Sequence, residues 1–153
     1  MEHGTIEREI HIDATPDVVY DVITKPEHIA RWWGFAASFP AVPGGAGRMT
    51  KTRRDGNGTL VVPLVVLEAE APRRFVFRWV QPEGEQATPE NSFLVTFELA
   101  PAHGGTLLRL TEAGFREIGW AAAELEEQYR DHSVGWDEHL PHLATYAAEL
   151  VRS

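Results

Sequence analysis

Residues 5–13 (TIEREIHID) alternate: Ile6, Ile10 and Ile12 share one face, while Glu7, Glu9 and His11 take the other. A period of two is that of a half-buried strand, with Arg8 as the one misfit. The period then changes. Thr15 stands at an N-cap position and Pro16 at the first helical one, where a missing N–H costs nothing. Val19, Val22 and Ile23 form one face of a short helix. Pro26 restarts the chain, and Ile29, Trp32 and Trp33 repeat the helical spacing up to Gly34.

From 40 to 120 the texture is that of strands. The stretch PAVPGGAG (40–47) is too rich in proline and glycine for either regular element. Strands are predicted at 48–53, 59–70, 74–81, 92–100 and 105–112. They are parted by Asp55-Gly56-Asn57-Gly58, Ala71-Pro72, the polar run 82–91 and Gly104-Gly105. Sequential strands with short links and no intervening helix imply an antiparallel meander. Pro63 then belongs at an edge or a bulge. The last third is helical: Leu125, Tyr129, His132, Trp136, Leu140, Leu143, Ala147 and Leu150 recur at steps of three and four. Gly135 and Pro141 interrupt this stripe, and Pro141, which cannot bond the carbonyl of Asp137, predicts a kink. The chain reads as one α+β domain over residues 1–153, a six-stranded antiparallel sheet whose apolar face a long C-terminal helix covers. Two short helices follow the first strand.

Composition removes several classes of function. A length of 153 residues suits a single domain, and 43% hydrophobic with 24% charged residues excludes disorder as the default. The formal charge of −9 is the opposite of what a phosphate backbone attracts, so nucleic acid is not an expected partner. Residues 117–153 carry eight acids against Arg130 and Arg152, the usual mark of a solvated helix face. Without cysteine there is no disulfide framework, thiolate nucleophile or thiolate metal site. The densest apolar run, Leu60 to Leu67, contains Pro63 and falls far short of the roughly 20 residues of a membrane span. The start, MEHGTIEREIHID, lacks the apolar core of a signal peptide. A cytoplasmic protein is expected.

Aromatic residues gather on predicted strand faces. Phe75, Phe77 and Trp79 share one face of their strand, and Phe93, Val95, Phe97 and Leu99 share one face of the next. Five rings thus meet Trp136, Leu140 and Leu143 of the helix. Such rings can simply fill a core; if sheet and helix leave a gap, they line a pocket suited to flat apolar molecules. The loop 40–47, next to Trp33, Phe35 and Phe39, could form a movable lid.

Among polar residues, His132 lies on the apolar stripe beside Trp136, as a satisfied half-buried histidine or as a group reaching a cavity. His132, His139 and His142 are spaced to share a helix face, but the two-histidine zincin pattern is absent, so no metal is expected. Neither is any other cofactor. With Ser38, Ser92, Ser133 and Ser153 as the only serines and no Gly-x-Ser-x-Gly elbow, a nucleophilic triad has little support. Arg78, Arg109 and Glu112 sit on strands; if one pointed inward it could orient a ligand or serve as acid or base. Arg48, Lys51, Arg53, Arg54, Arg73 and Arg74 form a basic cluster, either a charged sheet edge or a contact for an acidic partner.

A resemblance runs through the chain. "HIDATPDVVYDVITKPEHIARWWG", "LEAEAPRRFVFRWV", "GGTLLRLTEAGF" and "GWDEHLPHLATYAAEL" resemble, in order, successive signatures of START-like proteins of the heat-shock-protein-ninety ATPase activator homologue family. The resemblance implies the helix-grip architecture, a curved sheet wrapped around a long C-terminal helix, with a cavity for hydrophobic ligands. It carries over no universal catalytic motif. The expected function is a non-enzymatic module holding a hydrophobic, aromatic small molecule against Phe77, Trp79, Phe93, Phe97, Trp136 and Leu140. Trp33 and Phe39 would stand near the mouth, and His132 would be the polar contact. An enzyme of the cyclase or hydrolase kind, and a stress-related co-chaperone or protein-interaction domain, are the alternatives. A homodimer or a protein partner stays open.

Overall fold

The computed structural model describes residues 5–52, 58–80, 92–114 and 122–152. Its elements run β1 (Thr5–Ile12), α1 (Pro16–Thr24), α2 (Pro26–Trp32), β2 (Ala36–Ser38), β3 (Ala46–Thr52), β4 (Thr59–Glu70), β5 (Arg74–Val80), β6 (Ser92–Ala102), β7 (Gly105–Ala113) and α3 (Ala122–Arg152). All strands belong to one antiparallel sheet in the order β1-β7-β6-β5-β4-β3-β2. The sheet is therefore a meander whose first strand closes onto its last. It has seven strands, not six. The additional strand, β2, is three residues long, too short to show an alternating period.

The local signals act as their chemistry dictates. Thr15 holds the N-cap position with extended backbone, although its hydroxyl makes no capping bond, and Pro16 opens α1. Gly34, at φ +83°, ends the helical stretch in a conformation that suits glycine. The misfit Arg8 shares the phase of the buried Ile6 and Ile12, and α3 supplies its partner: Nε donates to Asp137 Oδ1 at 2.7 Å. That hydrogen bond raises the guanidinium above its ordinary pKa, with burial acting the other way. Pro63 stands opposite Arg48 of β3 but just beyond the β4–β5 register, which begins at Leu64–Trp79. A register shift between Val66 and Glu68 adds a bulge further along β4.

Gly135 and Pro141 do not interrupt α3, which is one helix of 31 residues. Trp136, Leu140, Leu143 and Ala147 are buried against the sheet and the short helices. That tertiary burial holds the helix across the hydrogen bond Pro141 cannot make. At its far end Tyr146 meets α2, with its hydroxyl 2.7 Å from His28 Nδ1.

The glycine-rich loop is pinned rather than free. Gly44 N–H donates to the Val66 carbonyl at 2.8 Å, and Val66 N–H donates to Gly45 at 2.7 Å. Gly47 lets β2 and β3 approach. A Cβ there would collide with the Ser38 carbonyl oxygen and come within 2.7 Å of Phe39 Cβ. Because the obstacles include backbone, Gly47→Ala should cost about 1–3 kcal/mol, lowering the midpoint of a thermal melt by roughly 2–12 °C. Residues 53–57, with Arg53 and Arg54, the run 82–91, and Glu117 lie outside the described residues.

Candidate functional site

Among the described residues, the inner face of the sheet carries one buried carboxylate. In β7 the buried side chains Thr106, Leu108, Leu110 and Glu112 alternate, which turns Glu112 inward with the leucines. Its side chain is 0% exposed. Trp79 Nε1 of β5 donates to Oε2 at 2.8 Å, Trp136 Nε1 of α3 donates to Oε1 at 2.8 Å, and His132 Nδ1 lies 2.9 Å from Oε1. An indole nitrogen can only donate. An ionised carboxylate with Nδ1–H as the third donor therefore satisfies every partner, and it leaves Nε2 as the basic nitrogen of that tautomer. Sheet and helix are thus joined through a single buried acid.

Above this node the core opens. A cavity of about 140 Å³ lies between α3, the corner from α2 to β2, and the inner faces of β3 and β5. Trp33, Trp79 and Trp136 form its aromatic walls. Trp33 is the hub: its ring centroid is 5.2 Å from that of Trp136, 5.4 Å from that of Trp79 and 4.8 Å from the stacked Trp32. Phe35 and Lys51 close one side, with the Lys51 ammonium 4.4 Å from the centroid of the Phe35 ring. On α3 the lining residues His132, Gly135, Trp136 and His139 share one helix face.

Of the residues singled out in the sequence, Trp33, Trp79, His132 and Trp136 come together around this cavity. Phe77, Phe93, Phe97 and Leu140 are buried core beneath and beside it and do not line it. Phe93 supports the site, its ring centroid 4.6 Å from that of His132. Phe39 packs elsewhere, stacked on Phe75 at 6.2 Å, and the loop 40–47 does not border the cavity. No lid is formed there. Sequence reasoning left Glu112 among three candidates; its phase with Leu108 and Leu110 is the signal that selects it. Arg109 faces outward to Glu9 at 2.9 Å, and Arg78 approaches Ser92 Oγ at 3.3 Å.

A larger depression of about 370 Å³ lies around the outward-facing Glu98, Leu107 and Arg109. Its arginines are already matched: Arg73 with Glu70, Arg74 with Glu68 and Glu98, Arg109 with Glu9. Ion pairs of that exposure contribute little each. The basic cluster expected from the sequence disperses, since Arg48 and Lys51 differ in phase on β3 and therefore face opposite sides of the sheet. Among the described residues no group of three or more histidine or acidic side chains could hold a metal ion. No described helix is long and apolar enough to cross a membrane.

A curved antiparallel sheet gripping a long C-terminal helix defines a helix-grip domain. The chain belongs to the family of activator of Hsp90 ATPase homolog 1-like proteins, whose model matches residues 13–148. Among solved structures, a protein from Mesorhizobium loti is 23% identical, with 97% of this chain and 98% of that chain covered and a TM-score of 0.73. CalU16 from Micromonospora echinospora is 26% identical over 97% of this chain and 79% of that one, with a TM-score of 0.66. The Aha1 dimer from Colwellia psychrerythraea is 18% identical over 92% of each chain, with a TM-score of 0.70. These likenesses confirm the fold. No curated protein matches the sequence.

Proposed function

We propose that the protein is a small-molecule binding module whose cavity takes a single aromatic ring against the wall formed by Trp33, Trp79 and Trp136. The observation that carries this reading is a wall of three contacting indoles beside an open-mouthed pocket of about 140 Å³, with an imidazole held in place by a buried carboxylate at its base. An apolar engineered cavity of about 150 Å³ holds benzene, so the space suits one ring rather than a polycyclic polyphenol or a fatty acid. Burial of the ring supplies the affinity, and His132, fixed by Glu112, supplies a directional polar contact. For a ligand of this size a dissociation constant on the order of 0.1 mM is expected. The same reading places the protein in the cytoplasm, with the ligand as its partner.

The Glu112–His132 pair favours a second reading, an acid–base enzyme of the cyclase kind. A carboxylate that holds Nδ1–H makes Nε2 the proton acceptor, the relation found in catalytic carboxylate–histidine pairs. One experiment addresses both readings. Phenol, 4-nitrophenol, a flavonoid and a fatty acid are tested by thermal unfolding and by quenching of tryptophan fluorescence. At ten times its dissociation constant a ligand adds about 1.4 kcal/mol, a midpoint shift of roughly 3–6 °C. The single-ring compounds should give this shift and the larger ones none. Bound 4-nitrophenol that takes the phenolate spectrum at a pH where the free compound is protonated would support the acid–base reading. Failure of every single-ring compound to bind would overturn the binding module.

A further inference from the structure

Trp32 closes α2 and Trp33 follows as its C-cap. The two rings stack, 4.8 Å apart and 10° from parallel, yet their nitrogens fare differently. A buried indole N–H usually finds an acceptor. Trp32 Nε1 donates to the Val22 carbonyl at 2.9 Å, and Trp79 and Trp136 each donate to Glu112 at 2.8 Å. Trp33 is only 5% exposed and lines the cavity. Among the described residues no oxygen accepts from its Nε1, and the nitrogen is not sealed from solvent. Trp32, Phe35, Trp79 and Trp136 pack around the ring at centroid distances of 4.8, 5.4, 5.4 and 5.2 Å. An indole N–H at an open mouth is served by water at little cost, which accounts for the protein without a ligand. A ring seated against the wall displaces that water. The donor then loses its partner unless the ligand brings an acceptor.

We propose that Trp33 Nε1–H opens onto the cavity as its specificity-determining donor, and that the ligand is a monocyclic aryl carbonyl compound whose oxygen accepts that hydrogen bond. The proposal rests on the binding reading above and adds the acceptor that the ligand must carry. An indole nitrogen can only donate. A hydroxyl would bring a proton that this nitrogen has no use for, whereas a carbonyl oxygen offers two lone pairs and none. A hydrocarbon of the same shape keeps the burial of its ring and leaves the donor unpaired.

The test is a thermodynamic cycle on the full chain with acetophenone and with α-methylstyrene, in which a methylene of the same shape replaces the ketone oxygen. Affinities of the parent and of Trp33→Phe come from NMR titration of the isotope-labelled protein. Trp33→Phe keeps an aromatic wall and removes the N–H. It should cost acetophenone about fivefold more affinity than it costs α-methylstyrene, the size of one neutral hydrogen bond. In the parent, the Trp33 indole proton should lie further downfield with acetophenone bound than with α-methylstyrene bound, since the hydrocarbon reproduces the ring-current shift alone. The indole protons of Trp32, Trp79 and Trp136 should show no such difference. Equal losses in Trp33→Phe, or the same Trp33 shift with both compounds, would overturn the acceptor assignment and leave the binding module standing on its affinity for the hydrocarbon. If Trp33→Phe does not fold, the indole shift in the parent decides alone. Binding of neither compound would overturn both.

Discussion

Glu112→Ala should lower the thermal midpoint by roughly 6–20 °C, the largest effect expected of any single substitution at the site. The reason lies in what remains. Removing the carboxylate leaves the indole N–H of Trp79, the indole N–H of Trp136 and the Nδ1 side of His132 facing an apolar gap. Each buried donor without an acceptor costs about 1–3 kcal/mol, and breaking a buried charged node by removing one member typically costs about 3–5 kcal/mol. A domain of this size loses roughly 2–4 °C for each kcal/mol. Glu112→Gln should be milder and still harmful. An amide offers one accepting oxygen, so its NH₂ group must point at an indole that can only donate, or else at the imidazole. Circular dichroism melts of both variants check the order, with Ala below Gln below the parent. An Ala variant that melts with the parent would show that the node does not hold α3 to the sheet.

Gly135→Leu should abolish binding of a single-ring ligand, by about a hundredfold or more, without unfolding the protein. Gly135 sits within α3, where glycine costs about 1 kcal/mol relative to alanine. Nothing in the backbone asks for it, since its φ is not positive, and among the described residues nothing packs against it, since an added Cβ would meet none of their atoms within 4 Å. What it does is line the cavity beside His132 and Trp136. The missing side chain is explained by the space it leaves. Gly135→Ala should therefore raise the midpoint, by about 0.5–1 kcal/mol of helix propensity, while weakening the ligand. Leucine would fill the space outright. Raised stability with lowered affinity is a split that general damage to the fold cannot produce. Parent-like affinity in Gly135→Leu would mean that ligands do not use this space.

The two substitutions separate what the sequence displays from what only the fold reveals. Strands β4 to β7 follow from alternation and turn chemistry, and their predicted bounds match within two residues at each end. β2 escapes because Ala36–Ser38, between Gly34 and Pro40, is too short to carry a period. The long α3 is legible in its stripe of three- and four-residue steps, and Gly135 and Pro141 do not end it because Trp136, Leu140 and Leu143 are buried, which is a tertiary effect. In the site, Trp79 and Trp136 stand out as aromatic positions on a strand face and a helix face. Which rings would fill the core and which would border a cavity depends on three-dimensional packing. Phe93 and Phe97 have the same pattern as Trp79 yet are fully buried away from the cavity lining. Glu112 had the right phase, but a glutamate is ordinarily assigned to water. Only the convergence of β5, β7 and α3 shows the three donors that keep it inside.

The family and the fold are fixed by the whole chain, whereas the function rests on a few side chains near Trp33. The most direct test is a titration of the isotope-labelled protein with benzoate and with phenol, followed through the indole N–H and backbone amide signals. The cavity reading predicts saturable shifts concentrated at Trp33, Trp79, Trp136, His132 and Gly135, with the Arg73, Arg74 and Arg109 surface unmoved. Shifts confined to that outer surface, or no saturable shift with either compound, would contradict it.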